Sequence, residues 1–232
     1  GAVDYVPKSG SESCDADTLR HELVAKVKAA ARARIVATSP ATPSPVSILK
    51  ASSYSKECII AIGASTGGVE ALKEVIQPLP ADAPPIVITQ HMPEKFTATF
   101  ADRLNKVSQV TVCEAVDGAA IQPGHVYIAP GDYHLEIQRL SKGYGCKVSQ
   151  GDKVSGHRPS VDSLFNSVAM HAGKHAVGAI LTGMGKDGAM GLLAMKKAGA
   201  RTLGQDEATC IVYGMPKAAH LAGAVDKQVP LH

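Results

Sequence analysis

The stretch Cys58-Ile-Ile-Ala-Ile-Gly-Ala-Ser-Thr-Gly-Gly-Val-Glu-Ala-Leu72 decides the fold, because an apolar run typical of a strand breaks at small residues and continues as a helix. Within it, residues 63–67 form a G-x-S-x-G element. Glycine on both sides of a serine permits a tight strand-to-helix turn and lifts the hydroxyl away from the sheet edge. The helix that follows directs its amide groups and positive dipole end toward a charge forming at Ser65. This pattern predicts a nucleophilic serine, provided that the chain also supplies a histidine and a carboxylate.

Two other functions fit the same turn. Gly-rich strand-to-helix turns in doubly wound folds also bind nucleotides, but a dinucleotide fingerprint carries glycine at the third position, where Ser65 stands. It also places an acidic residue after the next strand, whereas Asp82 precedes that strand. A nucleotide-binding domain is therefore a second hypothesis. A regulatory module that uses the fold only to bind a partner is a third.

The composition is that of one large domain with additions. The 232 residues are 45% hydrophobic, which allows a substantial core, while aromatic residues make up only 4% and tryptophan is absent. Ala, Val, Ile and Leu must therefore fill the core, and this favours alternating strands and helices. The formal charge of +3 gives weak support for an acidic partner and none for nucleic acid.

Cysteine and histidine spacing argues against disulfides and metals. The five cysteines form no C-x-x-C pair: Cys14, Cys58, Cys113, Cys146 and Cys210. An odd, scattered set is typical of reduced thiols in a cytosolic protein. No His and Cys spacing suggests zinc, and no uncharged apolar run is long enough to span a membrane. We therefore expect a cytoplasmic protein that needs no metal or cofactor and is not inserted in a membrane.

The first quarter of the chain has the composition of a linker that joins the main domain to another domain. A basic, alanine-rich pattern predicts a helix over about 15–34, and the segment 36–55 has the Ala, Ser, Thr and Pro content of a linker. We expect a short remnant of another domain at 1–9, a linker at 10–55 and the main domain at 56–232. Because the chain begins Gly-Ala-Val-Asp rather than with Met, we expect a fragment of a longer protein.

From residue 56 onward, strand and helix patterns alternate. Strands are predicted at 58–62, 86–90, 110–114, 125–129, 176–182 and 200–203, and helices at 67–77, 94–106, 160–172, 188–198 and 214–222. Segments 133–139 and 145–149 predict a hairpin over the Gly143 region. This order predicts an α/β fold with a doubly wound, mainly parallel sheet, helices on both faces and an antiparallel hairpin near one edge.

Three polar residues follow predicted strands: Ser65, His91 and Asp187. Sites in such sheets form outside the carboxyl ends of the strands, so all three can face one crevice. Histidine can accept the serine proton, and a carboxylate can orient the imidazole and stabilise its cation. Each has an alternative on its own: His91 could start a helix, and Asp187 could cap the helix that opens at Gly188. Together they predict a catalytic triad in the order Ser, His, Asp.

Five separated motifs occur in order: Ile-Gly-Ala-Ser-Thr-Gly-Gly, Gln-His-Met, His-Arg-Pro-Ser-Val-Asp-Ser-Leu-Phe, Leu-Thr-Gly-Met-Gly-Lys-Asp-Gly and Val-Tyr-Gly-Met-Pro. With them, the chain from about Lys56 to its end resembles the catalytic domain of the chemotaxis protein-glutamate methylesterases. Residues 1–9 resemble the last strand of a response-regulator receiver domain, with Lys8 at the family's lysine and Ser9 where that family usually has proline.

The resemblance assigns roles residue by residue. It implies Ser65 as nucleophile, His91 as base and Asp187 as the triad carboxylate. It also implies that Thr66 supports the site and that Met184 contributes an oxyanion-stabilising backbone N–H. The alternative for Met184 is that it only packs.

The resemblance also implies a substrate and partners. Members hydrolyse γ-glutamyl methyl esters on methyl-accepting chemotaxis receptors and release methanol, and some also deamidate receptor glutamines. Arg158 could meet an acidic receptor surface or remain a solvated side chain. In the longer family proteins, a histidine kinase acts through the receiver, which covers the active site; without it we expect constitutive activity. A related methylesterase of another receptor pathway fits the same motifs.

Overall fold

The computed structural model describes residues 57–231 and eight residues before them, at 20, 23, 24, 26–28, 30 and 31, all of them helical. Those eight fall within the helix predicted over about 15–34. The predicted receiver remnant at 1–9 and the linker segment at 36–55 lie outside the described residues. The division of the chain into these parts stays a prediction.

Nine strands and five α-helices are present in residues 57–231. The strands are β1 (Ile59–Ala64), β2 (Ile86–Gln90), β3 (Thr111–Glu114), β4 (His125–Ile128), β5 (His134–Arg139), β6 (Tyr144–Ser149), β7 (Ala176–Ile180), β8 (Arg201–Gln205) and β9 (Lys227–Val229). The helices are α1 (Gly68–Ile76), α2 (Glu94–Asn105), α3 (Val161–His171), α4 (Ala189–Lys197) and α5 (Met215–Leu221), with a 3₁₀ turn at Gly173–His175. The α/β class predicted from the sequence is confirmed.

The prediction and the structure differ at the ends of β1 and β7 and over β9. β7 ends at Ile180 rather than at residue 182, because the N–H of Thr182 donates to the side-chain Oε1 of Gln205. β1 continues to Ala64 rather than ending at residue 62, because Gly63 and Ala64 pair in parallel register with Thr89 and Gln90. Small residues resemble a turn in sequence although they can still form ladder hydrogen bonds. β9 was not predicted, since three residues ending in a single valine give no alternation to detect.

The main sheet has seven parallel strands in the order β3-β4-β2-β1-β7-β8-β9. Its two faces carry separate apolar clusters: α3, α4 and α5 pack on one face, and α1 and α2 pack on the other. β1 serves both clusters, because Ile59 and Ala61 belong to the first and Ile62 and Ala64 to the second. This two-sided burial confirms the doubly wound arrangement.

The predicted hairpin is a separate two-stranded sheet of β5 and β6. Apolar side chains of β5 join the cluster that contains α3, and the backbone N–H of Ile137 donates to Ser167 Oγ of that helix at 2.9 Å. The hairpin therefore supports α3 from outside the main sheet, which matters because α3 reaches the site.

Strand order places a crevice at the middle of the sheet. The chain leaves β1 for β2 on one side, and it later returns to β7 on the other side of β1. The connections at the carboxyl end of β1 therefore lead in opposite directions and leave an opening there. Residues 65, 91 and 187 all follow one of these three central strands.

The two glycines of the G-x-S-x-G element have different roles. Gly67 adopts a left-handed φ of 80° at the start of α1, a conformation that costs little without a Cβ. Gly63 instead permits close packing, since a Cβ there would lie 2.2 Å from Cγ1 of Val161. The element therefore turns the chain and also brings the first residue of α3 against β1.

We predict that Gly63→Ala destabilises the fold by about 2 kcal/mol or more, because the added methyl overpacks the contact with Val161. Chemical denaturation measures the effect. Gly118→Ala is the matched control: its φ is 75° but nothing lies within 4 Å of the added Cβ, so it should cost only about 1 kcal/mol of backbone strain. In the double variant with Val161→Ala, the cost of Gly63→Ala should shrink. Strictly additive costs would contradict this explanation.

Candidate active site

A cleft of about 660 Å³ opens at the carboxyl ends of the central strands. Its walls include every candidate site residue predicted from the sequence except Asp187, which lies beneath the wall and is 2% exposed. The cleft-lining members of that set are Ser65, Thr66, His91, Arg158 and Met184. Segments far apart in the chain therefore meet at one opening.

The backbone of Ser65 is held from both neighbouring strands. Its N–H donates to the carbonyl oxygen of Thr182, just beyond β7, at 3.0 Å. On the other side, Nε2 of Gln90, the last residue of β2, donates to the Ser65 carbonyl oxygen at 3.0 Å. The hydroxyl of Thr182 also donates to the carbonyl oxygen of Thr66 at 2.9 Å. These bonds fix the direction of the serine side chain before any substrate binds.

His91 connects the other two residues. Its Nδ1 lies 3.2 Å from Ser65 Oγ, and its Nε2 lies 2.8 Å from Asp187 Oδ2. Because an ionised carboxylate can only accept, Nε2 carries the proton and Nδ1 is free to accept the serine proton. The ring uses its nitrogens in the opposite sense to chymotrypsin-like proteases, where Nε2 faces serine. The chemical roles are unchanged, since either nitrogen of imidazole can act as the base.

Asp187 lies at the N-terminus of α3 rather than capping its own helix. Its Oδ1 accepts from Ser160 Oγ at 2.8 Å and from the N–H of Asp162 at 3.1 Å. Its Oδ2 accepts from the N–H of Val161 at 2.7 Å in addition to His91. The N-cap of α4 is Gly188, so the capping interpretation of Asp187 is wrong. The carboxylate instead satisfies first-turn amide groups of a different helix.

These contacts keep Asp187 ionised. Burial alone would raise the pKa of its carboxyl group. The hydrogen bond and charge of His91, together with the N–H groups of Val161 and Asp162, outweigh burial and lower the pKa of Asp187 to about 2. A negative charge therefore persists beside Nε2 of His91, where it orients the ring and stabilises the cation that forms when His91 gains a proton.

Thr66 and Met184 line the same cleft as Ser65. Thr66 is buried as the residue after the serine, and Met184 is half-buried on the cleft wall. The loop that carries Met184 is tied to the Val-Tyr-Gly-Met-Pro motif, because Gly183 donates to the carbonyl of Val212 and accepts from the N–H of Met215. The sequence analysis used this motif only as part of the family resemblance. The structure shows that it positions the loop of Met184.

Arg158 lies on the cleft wall with its guanidinium engaged. Its Nε and Nη2 donate to Asp132 Oδ1 at 2.9 and 2.7 Å, and its Nη1 donates to the carbonyl of Gly151 at 2.8 Å. The solvated alternative for this side chain is therefore wrong. The Arg158 side chain therefore anchors the segment that leads into α3 while it lines the cleft.

Sequence reasoning missed four participants: Gln90, Ser160, Thr182 and His157. The first three position Ser65 and Asp187, and His157 stacks on the ring of His91. Each lies inside a motif already noted, but spacing alone does not show which motif residues meet. Among residues 57–231 and the eight described before them, no group of His, Cys, Asp and Glu could hold a metal ion, and no helix is long and apolar enough to cross a membrane.

A parallel α/β sheet that brings serine, histidine and aspartate together in an open cleft has the architecture of a serine hydrolase. Comparison with known proteins gives the particular family. Residues 60–232 match the family model of the CheB methylesterase. The chain belongs to the CheB methylesterase family, and residues 60–232 form its methylesterase domain.

Relatives match along the whole chain. It is 55% identical over 232 residues to protein-glutamate methylesterase/protein-glutamine glutaminase 1 of Caulobacter vibrioides. The aligned region covers 100% of this chain and 67% of that relative. The chain is 52% identical over 232 residues to the protein-glutamate methylesterase/protein-glutamine glutaminase of Salmonella typhimurium, with 100% and 66% covered. The chain thus spans about two thirds of the length of these relatives.

A solved structure supports the same conclusion. The crystal structure of the Thermotoga maritima CheB methylesterase catalytic domain matches with a TM-score of 0.73 and 40% sequence identity, over 75% of this chain and 93% of that chain. The fold predicted from the sequence and the family resemblance are both confirmed. A nucleotide-binding domain is no longer a competing interpretation.

We predict that Asp187→Asn lowers the free energy of unfolding at pH 7 by about 2–3 kcal/mol. Each carboxylate oxygen of Asp187 accepts from two donors, and in the variant an amide NH₂, itself a donor, replaces one of these oxygens. The depressed pKa of Asp187 stabilises the fold above the pKa of the unfolded chain, and this contribution is lost as the pH falls through about 2. Urea denaturation at several pH values should therefore show the difference from the wild type narrowing below about pH 4. Asp82→Asn, at an exposed aspartate, is the control. A pH-independent difference would contradict the linkage.

Proposed function

We propose that this chain hydrolyses γ-glutamyl methyl esters on methyl-accepting chemotaxis receptors and releases methanol. The names of its relatives and its family membership support the reaction class. The observation that carries the proposal is the unbroken series of hydrogen bonds from Ser65 through His91 to Asp187 at the wall of an open cleft. A receptor helix presenting a modified glutamate can approach this opening, whereas a buried site would exclude it.

The first chemical step uses the geometry directly. Nδ1 of His91 accepts the proton of the Ser65 hydroxyl as Oγ attacks the ester carbonyl carbon. The cation on His91 is stabilised by the ionised Asp187. The negative charge forms beside the N-terminus of α1, where amide groups and the helix dipole favour an anion. In this proposal, the N–H of Met184 and the segment at Thr66 complete the stabilisation of that oxyanion.

The remaining steps reverse the proton transfer. His91 gives its proton to the departing methoxide, so methanol leaves and an acyl-enzyme remains on Ser65. Water then attacks the acyl carbon while His91 again accepts a proton. Collapse of the second tetrahedral intermediate releases the glutamate carboxylate and returns the proton to Ser65 Oγ. The reaction consumes only the ester and one water molecule, and Ser65 and His91 return to their initial states.

The same path accommodates deamidation of receptor glutamines. A primary amide is attacked by Ser65 in the same way, and His91 protonates the departing amine so that ammonia leaves. The two reactions share one acyl-enzyme and one product, glutamate. The glutaminase named in the relatives supports this second activity.

The proposal includes the cellular context. Receptors of this kind are the partner, their acidic cytoplasmic surface matches the net charge of +3, and the reaction takes place in the cytoplasm. Arg158 is proposed as a substrate-binding residue, and Lys153 lines the same cleft. A histidine kinase is proposed as a partner of longer proteins of the family, acting through a receiver domain.

We predict that Ser65→Ala and His91→Ala each reduce methanol release from a methylated receptor preparation by at least about 10⁴-fold, because triad residues act as a unit. Release of labelled methanol measures the rate. Ser141→Ala and His220→Ala are matched controls, since both side chains are exposed and neither lines the cleft. Near wild-type turnover by Ser65→Ala would rule out a covalent mechanism at this residue.

We predict that the rate of methanol release, measured from about pH 5 to about pH 8, rises with pH, because only an unprotonated imidazole can accept the serine proton. Ionised Asp187 should give no second inflection above about pH 4, since its pKa is lowered to about 2. Single-turnover measurements separate this behaviour from receptor binding. A rate that stays flat across the whole range would argue against a histidine base.

A further inference from the structure

The catalytic ring has an aromatic neighbour that the mechanism above does not use. The imidazole of His157 lies on the imidazole of His91, with ring centroids 3.9 Å apart and an interplanar angle of 13°. The two hydrogen bonds of His91, to Ser65 and Asp187, are made at its ring nitrogens, along the edge of the ring. One face of the base is therefore covered by His157 while both of its nitrogens remain in use.

His157 is itself held in place by a tight turn. The N–H of His157 donates to the carbonyl of Val154 at 2.9 Å, and the N–H of Val154 donates back to the carbonyl of His157 at 3.1 Å. Between them, Ser155 and Gly156 adopt left-handed φ values of 54° and 81°. Two residues in that conformation close the turn and aim the His157 ring at the cleft.

The turn is anchored to the framework that holds Asp187. The hydroxyl of Ser155 donates to Asp162 Oδ2 at 3.0 Å, and Asp162 Oδ1 accepts from the N–H of Gly191 at 2.7 Å. Asp162 lies in the first turn of α3, whose N–H groups bind Asp187. On the other side, Arg158 is clamped to Asp132. The residues before and after His157 are thus both fixed to the body of the domain.

We propose that His157 is a positioning residue for the base: its ring holds His91 in the plane that directs Nδ1 to Ser65 and Nε2 to Asp187, and its π face stabilises the cation formed on His91. This inference rests on the proposed function, in which His91 accepts the serine proton. In this role, His157 acts through its stack on His91.

Two physical effects support the role. Rotation of a histidine ring about its last side-chain torsion is soft, so a parallel neighbour that occupies one face restricts the ring to productive orientations. The face of a neutral aromatic ring also attracts a cation within about 6 Å, and the attraction appears only after proton transfer. An interaction that is stronger in the transition state than in the ground state raises kcat rather than lowering KM.

The effect requires a neutral His157, because two cationic rings at this separation would repel. His91 is in contact with His157 and Asp187. The other ionisable groups that line the cleft are Lys26, Glu70, Asp132, Lys153 and Arg158. All of them are unchanged in the variants proposed below, so a difference between variants reports on position 157.

Two substitutions separate stacking from space filling. His157→Phe keeps a flat aromatic ring, whereas His157→Leu fills similar space with no π face. We expect His157→Leu to lower kcat for methanol release about tenfold with KM changed less than about twofold, and His157→Phe to stay within about threefold of the wild type. The midpoint of the pH profile should lie lower in His157→Leu than in His157→Phe, because the cation on His91 is less stabilised. His220→Ala controls for loss of a histidine elsewhere.

A second readout avoids the receptor. A fluorophosphonate reacts with Ser65 as Oγ forms a bond to phosphorus, fluoride leaves and the proton passes to His91, so its labelling rate reports the Ser65–His91 pair directly. We expect the wild type and His157→Phe to be labelled faster than His157→Leu. If the wild-type chain labels at Ser65 but releases no methanol, the proposed function fails while the labelling series still tests His157. Thermal unfolding confirms that the variants are folded.

Three outcomes would overturn the proposed role of the His157 ring. Equal rates for His157→Leu and the wild type would show that the stack has no role. Equal losses in folded His157→Phe and His157→Leu would show that a ring nitrogen of His157, rather than its π face, matters, and would overturn the proposal. A change confined to KM would also overturn it, because that result would place His157 in substrate binding.

Discussion

The carboxylate of Asp187 at the N-terminus of α3 is the interaction on which the site depends. Two backbone N–H groups, one hydroxyl and one imidazole donate to its two oxygens. Such a group would be costly to bury alone, but here it satisfies first-turn amides that otherwise lack intrahelical partners. One residue therefore links the end of β7, the start of α3 and the orientation of His91. The local stability of this junction and the chemistry of the site rest on the same contacts.

The rest of the site is arranged around that junction by backbone contacts. Because Gly63 has no Cβ, Val161 packs directly against β1. This packing brings the amide groups of α3 within hydrogen-bonding distance of Asp187. Gln90, from the strand on one side of β1, and Thr182, just beyond the strand on the other side, hold the backbone of Ser65. Preorganised groups lose little freedom when substrate binds, so the arrangement favours charge stabilisation at the moment of reaction.

Much of this was available from the sequence. Hydrophobic periodicity located eight of the strands and all five helices of residues 57–231, because apolar runs and glycine-bounded turns report directly on burial. The strand-end rule brought Ser65, His91 and Asp187 to one crevice without any coordinates. The misplaced end of β1 and the missed β9 have a common cause, since pairing with a neighbouring strand is not encoded in the residues that pair.

The sequence by itself determined the fold class, the family and the three residue types at three strand ends. Only the tertiary structure decided that Asp187 binds α3 instead of capping α4, that Nδ1 of His91 faces Ser65, and that His157 covers the ring. The physical reason is separation along the chain: His91 and Asp187 are 96 positions apart, and the donors to Asp187 in α3 are 25 or more positions away. Local patterns specify elements, whereas contacts between such distant groups follow from how packed elements meet.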